Sequence, residues 1–113
     1  MTHEEALMER GNQLARACAI ARIRSNQLGS VLAHLKRHRD PKGTAQMLEA
    51  LARSEFARRT RSSQEQFEGL RDQVGPALQR TRSWQDAALI VGWAQRLMGV
   101  HEMERRGSRG RSF

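Results

Sequence analysis

The chain has 113 residues, 38% of them hydrophobic, with no tyrosine and with 20 lysines and arginines against 12 acids, for a formal net charge of +8. That length suits one domain and leaves too little for two, and one cysteine excludes an internal disulfide or a cysteine zinc cluster. Nowhere does the sequence hold a run of about 18 apolar residues, so no spanning helix is expected.

Taken in chain order, Thr2 stands three residues before Glu5, a capping-box spacing that starts a helix. Leu7, Gly11, Leu14, Cys18 and Ala21 follow at alternating steps of four and three, which predicts a first helix over residues 3–23. Its small members would let another helix approach closely. Ser25 is the expected cap of a second helix, on which Leu28, Val31, Leu32 and Leu35 form the cleanest apolar stripe in the chain. It should end near His38 or Arg39, before a turn at Asp40-Pro41-Lys42-Gly43.

Thr44 is the expected cap of a third helix over residues 45–59, with Met47, Leu48, Leu51, Ala52 and Phe56 on its apolar face. Ser62 with Glu65, or Ser63 with Gln66, offers a box for a fourth helix carrying Phe67, Leu70 and Val74, which Gly75-Pro76 should end or kink. Ser83 and Asp86 begin a fifth, built on Ala87, Ile90, Val91, Ala94, Leu97 and Met98, with Gly99 as a candidate end. With no alternating strand pattern, the expected fold is all-α: a compact five-helix bundle of antiparallel neighbours. Residues 1–106 form the domain and 107–113 a short mobile basic tail. The opening Met1-Thr2-His3-Glu4-Glu5 lacks the basic region and apolar stretch of a secretory signal, so a cytoplasmic location is expected.

Catalytic candidates are sparse. His34 and His38 lie at i and i+4 and could share a metal, but a site needs a third ligand, and His101-Glu102-Met103-Glu104-Arg105 lacks the second histidine of a metalloprotease helix. Cys18 falls within an apolar stripe, where cysteine packs as a small hydrophobe. Glu4-Glu5 and Glu65-Glu68 sit in first helical turns, where carboxylates complement free amides. No phosphate-loop, dinucleotide or calcium motif occurs, so neither an enzymatic role nor a cofactor is expected.

The cations are more telling, since 18 of the 20 are arginine, whose planar fork grips phosphate bidentately. GC-rich codon usage also enriches arginine without a function, so composition favours a polyanionic partner but does not demand one. Residues 20–43 carry Arg22, Arg24, Lys36, Arg37, Arg39 and Lys42 against Asp40 alone, a local net of +5. Helix-dipole complementation would account for one or two of these, not five. Arg58, Arg59 and Arg61 form a second cluster, and Arg80 and Arg82 lie beside Trp84. Residues 1–13 and 64–72 each carry a net of −2, so the surface should be polarised. Such a surface can track a phosphate backbone by counterion release without reading bases.

Two runs carry a family resemblance. Ile23 to His38, with its Ser-Asn-Gln-Leu start, resembles an early helical region of the small subunits of multisubunit CRISPR effector complexes, although Gly29 stands where that pattern has a basic residue. Arg80 to Met98, in which alanines and Trp93 precede a basic residue, resembles their closing helix. The resemblance implies a small helical protein present in several copies. It would do no chemistry, stacking on itself and on backbone subunits while its basic faces meet guide RNA, target or a displaced strand. The expected contacts are the nine cations from Arg22 to Arg61 named above, and the expected protein interface is Trp84, Trp93 and Met98. Two other readings fit the same residues: a helix-turn-helix regulator built on the second and third helices, and an adaptor that uses its basic face on an acidic protein.

Overall fold

The computed structural model describes the backbone of residues 2–111 and the side chains of residues 2–104. Among the described residues all regular structure is helical, in six segments: α1 His3–Ile20, α2 Ser25–His38, α3 Pro41–Arg53, the single turn α4 Glu55–Arg58, α5 Arg61–Gln79 and α6 Trp84–Arg111.

The expected five helices become six because Ser54 divides the third. Its hydroxyl donates to the Leu51 carbonyl at 2.7 Å while accepting from the Ala57 amide at 3.2 Å, so it closes α3 and caps α4 together. Three caps also differ from expectation. Arg24 occupies the N-cap of α2, and its amide donates to Gln27 Oε1 at 2.9 Å. Asp40 precedes Pro41 at the first turn of α3, where a missing amide costs nothing. Thr44 is therefore inside the helix, buried, its hydroxyl donating to the Asp40 carbonyl at 2.9 Å. Thr60 caps α5 by accepting from the Ser63 amide at 3.0 Å, ahead of both serine boxes. Pro76 does not end α5, since it falls in the last turn between buried Val74 and Leu78, and the Arg80 amide still finds the Pro76 carbonyl at 3.1 Å. Gly99 does not end α6.

Thr2 caps α1 as expected, accepting from the Glu5 amide at 3.1 Å. At the other end the Arg22 amide bonds Ala19 and the Ile23 amide bonds Cys18, a Schellman closure that stops α1 at Ile20. Ile23 and Cys18 are both buried at that closure.

α6 is the axis of the packing. It runs parallel to α1, with His3 against Asp86 and Gly11 against Ile90 and Trp93. It runs antiparallel to α2, with Arg39 against Trp84, Leu32 against Gly92 and Ser25 against Glu102. α1 and α2 both lie along α6 and hardly touch each other, so they flank it on different sides. α3 and the α4 turn that follows it pack antiparallel on α5, as Glu49 of α3 lies near Arg71 and Phe56 of α4 meets Phe67. The expected antiparallel order of neighbours thus fails at α1 and α6, because successive helices pack through a third element. The core runs through all the long helices, with Cys18, Leu28, Leu35, Leu48, Val74, Leu78, Ile90 and Val91 almost fully buried.

Of the expected tail, the backbone of residues 107–111 continues α6, while the side chains from residue 105 onward and residues 112 and 113 lie outside the described residues.

Candidate nucleic-acid interface

The α2–α3 turn is the most basic surface described. Lys36, Arg37 and His38 form the exposed last turn of α2, Arg39 closes it, and Lys42 lies in the first turn of α3. Arg39 adopts φ 54 and ψ 33, and its amide bonds the Leu35 carbonyl at 2.7 Å. Its guanidinium carbon stands 5.4 Å from the centroid of the Trp84 ring, a cation–π contact worth about 0.5 to 1 kcal/mol at an exposed site. Through Trp84 the turn meets the α5–α6 connection, which presents exposed Arg80 and Arg82. Trp84 is half-buried, with its ring already covered on one side by Arg39.

Five exposed cations belong to the two connections that meet at Trp84, Lys36, Arg37, Arg39, Lys42 and Arg82, with Arg39 in contact with the ring, whereas Arg80 turns its guanidinium back to the Pro76 carbonyl on the side facing α1. Sequence reasoning noted Arg80 and Arg82 but left them out of the expected contacts, because only the antiparallel pairing of α2 with α6 brings the two connections together. None of the five makes an ion pair among the described residues. Asp86, in the next turn of α6, bonds His3 at 3.0 Å on the flank facing α1.

Arg22 and Arg24 do not share this surface. They sit at the opposite end of α2, about 21 Å away for 14 residues at 1.5 Å each. The run of +5 is therefore two clusters. Ile23 packs against Gly69 and Gln27 Nε2 donates to Gln66 Oε1 at 3.0 Å, so the Arg22–Arg24 turn lies over the first half of α5. Arg58, Arg59 and Arg61 surround the start of that helix, all exposed. Their charge is less free: Arg61 pairs with Glu65 at 3.5 Å and Arg59 stands 5.3 Å over the Phe56 ring.

The expected protein interface is redistributed. Met98 is only 4% exposed and belongs to the chain's own core, facing inward on the buried stripe of α6. Trp93 is half-buried against Gly11 and its indole donates to Asn12 Oδ1 at 2.8 Å, tying α6 to α1. Among the described residues, the large apolar side chains that do face solvent are Ile20 at 85%, Met103 at 73%, Phe56 and Val100. The α1–α6 register sets Ile20 level with Met103.

Chemistry elsewhere is limited among the described residues. His34 and His38 rings stack at 4.3 Å, and His34 Nδ1 lies 3.0 Å from the Thr44 hydroxyl. Since that hydroxyl spends its proton on Asp40, Nδ1 is the donor. Burial lowers the His34 pKa, and His38 and Arg37 lower it further by like charge. No group of three His, Cys, Asp or Glu side chains could hold a metal among the described residues. Cys18 is wholly buried and its thiol is pushed up to about 12 by burial, which makes it a poor nucleophile. No described helix is long and apolar enough to cross a membrane.

No family model, curated protein or solved structure matches the chain.

Proposed function

We propose that this protein is a non-catalytic subunit that holds a nucleic-acid backbone without reading its sequence, in the manner of the small subunits of multisubunit CRISPR effector complexes. The observation that carries the reading is the set of exposed, unpaired cations on the α2–α3 turn, which Arg39 joins to Trp84 at the α5–α6 connection. Cations at two adjoining connections, with no carboxylate spent on them, match phosphates spaced along a strand. Guide RNA, target or displaced strand would occupy this face, and backbone subunits or further copies would cover the apolar side chains at the far end.

The regulator alternative is less well served. The outward side of α3 offers Lys42, Gln46, Ala50 and Arg53, and Arg53 already pairs with Glu49 at 2.8 Å. Lys42 and Gln46 are then the side chains free for a base edge, whereas sequence readout rests on several.

Fluorescence anisotropy with unrelated RNA and DNA strands at low salt tests the proposal. The expected result is binding of all sequences within a few-fold, weakened uniformly in the triple variant Lys36→Glu, Arg37→Glu, Arg39→Glu. Preference for one sequence by about a thousandfold would point to the regulator. No binding at any salt would leave the protein adaptor.

A further inference from the structure

We infer that Phe56 is a stacking platform for an unpaired base, so that a strand held by this protein is single where it passes the start of α5. The platform rests on the strand-holding reading but stands apart from the α2–α3 turn, about 20 Å from Lys42 along the 13 residues of α3.

In an unbroken third helix Phe56 would follow Leu48 and Ala52 at steps of four on one buried stripe. Ser54 breaks the helix, and Ala57 takes the inward position instead, wholly buried, while Phe56 is left 58% exposed. Phe67, Trp84 and Trp93 are each half-buried by comparison. The Phe56 ring is open but held in place. It meets the Phe67 ring at 6.1 Å and 63°, an edge-to-face pairing, and the Arg59 guanidinium carbon lies 5.3 Å from its centroid.

Exposed Arg58, Arg59 and Arg61 surround this ring, and exposed Arg22 and Arg24 lie over the first half of the same α5. In residues 54–65 the acids are Glu55 and Glu65, and Glu65 is engaged by Arg61 at 3.5 Å. Arg58 and Arg59 make no ion pair among the described residues. A protein laid over Phe56 would strip water from guanidiniums that have no carboxylate of their own. A bare phosphate would use the arginines and leave the ring wet. A nucleotide sets its base on the ring and its flanking phosphates beside the cations, so both halves of the surface are used. Arg59 extends the platform, because a base also stacks on a guanidinium plane. Every base has a π-face, so the contact keeps the indifference to sequence that a backbone holder needs.

The test is fluorescence anisotropy of the full chain with decathymidylate, whose bases stack little on one another, and with an abasic deoxyribose-phosphate strand of equal length and charge. The wild type should bind decathymidylate at least about fivefold tighter than the abasic strand, the low end of the stacking gain per base. Phe56→Leu keeps an apolar contact for Phe67 and should remove most of that difference, while leaving the abasic affinity and the salt slope unchanged. Phe56→Trp, with a larger face, should hold decathymidylate at least as tightly as the wild type. Equal binding of the two strands by the wild type overturns the inference, and so does a Phe56→Leu variant that weakens both alike or neither. Phe56→Trp falling to the level of Phe56→Leu overturns it too. Binding of the abasic strand depends on the cations alone, so its loss with decathymidylate still held would sink the strand-holding reading and keep the platform. Firm abasic binding with no gain from bases would do the reverse.

Discussion

Arg22 and Arg39 have φ of 61 and 54, left-handed backbone that glycine takes at least cost and other residues enter at about 1 to 2 kcal/mol. At Arg22 the cost falls at the C′ position of the Schellman closure, where glycine is the usual residue. Arginine there is bad for the fold, which is what a side chain kept for a partner would look like. Arg22→Gly should therefore raise stability by about 1 kcal/mol in urea unfolding while weakening strand binding. A loss of stability would remove the argument. Gly11 is constrained the opposite way: a Cβ would stand 2.7 Å from Trp93 Cδ1 and 3.1 Å from the Ile90 carbonyl. Backbone cannot yield there cheaply, so Gly11→Ala should cost about 1 to 3 kcal/mol from overpacking, less about 1 from better helix propensity. A higher urea midpoint would show that α1 and α6 are not in this close contact.

Among the elements, α2 is the one most dependent on a distant residue. Its first amide, at Ser25, and the Ser25 hydroxyl bond the two Glu102 carboxylate oxygens at 2.9 and 2.7 Å, so α6 caps α2. Ser25→Ala keeps the amide bond and loses the hydroxyl bond, with an expected cost of about 1 to 2 kcal/mol by chemical denaturation. At the other end of α2, the lowered pKa of His34 gives a signed pH effect. The unfolded chain binds more protons than the folded one below the ordinary value of 6.5, so stability falls as pH drops through that value toward the folded pKa. His34→Gln, which can still donate to Thr44, should flatten the urea midpoint between pH 7.5 and 5 relative to the wild type. An identical fall in both proteins would assign it elsewhere. The stripes Leu7 to Cys18, Leu28 to Leu35 and Ala87 to Met98 were legible in the sequence because burial imposes helical spacing. The caps were not, since any serine or threonine before a helix fits, and the winners at Asp40 and Thr60 depend on Pro41 and on where the chain must turn.

For the whole molecule, what the sequence could not convey was adjacency. A count along the chain merged Arg22 and Arg24 with Lys36 to Lys42, although α2 holds them apart, and it separated Arg39 from Trp84, although the fold brings them into contact. Helix pairing through α6 decides both, and periodicity carries no information about which stripe meets which. The same pairing divides charge, setting exposed Glu4 and Glu5 on the α1 flank of α6 and the α2–α3 turn on the other. Two basic ends about 21 Å apart span roughly six phosphates of one duplex strand at 3.4 Å each.

The salt dependence of strand binding tests the central claim most directly. With four to six phosphates neutralised, log affinity against log salt should have a slope of roughly −3 to −5, nearly the same for every sequence. Reversing Lys36, Arg37 and Arg39 should make that slope shallower by about 2 to 3 while helical content stays unchanged, because all three side chains are exposed. A flat slope, or an unaltered one in the triple variant, would contradict the assignment of this face to a phosphate backbone.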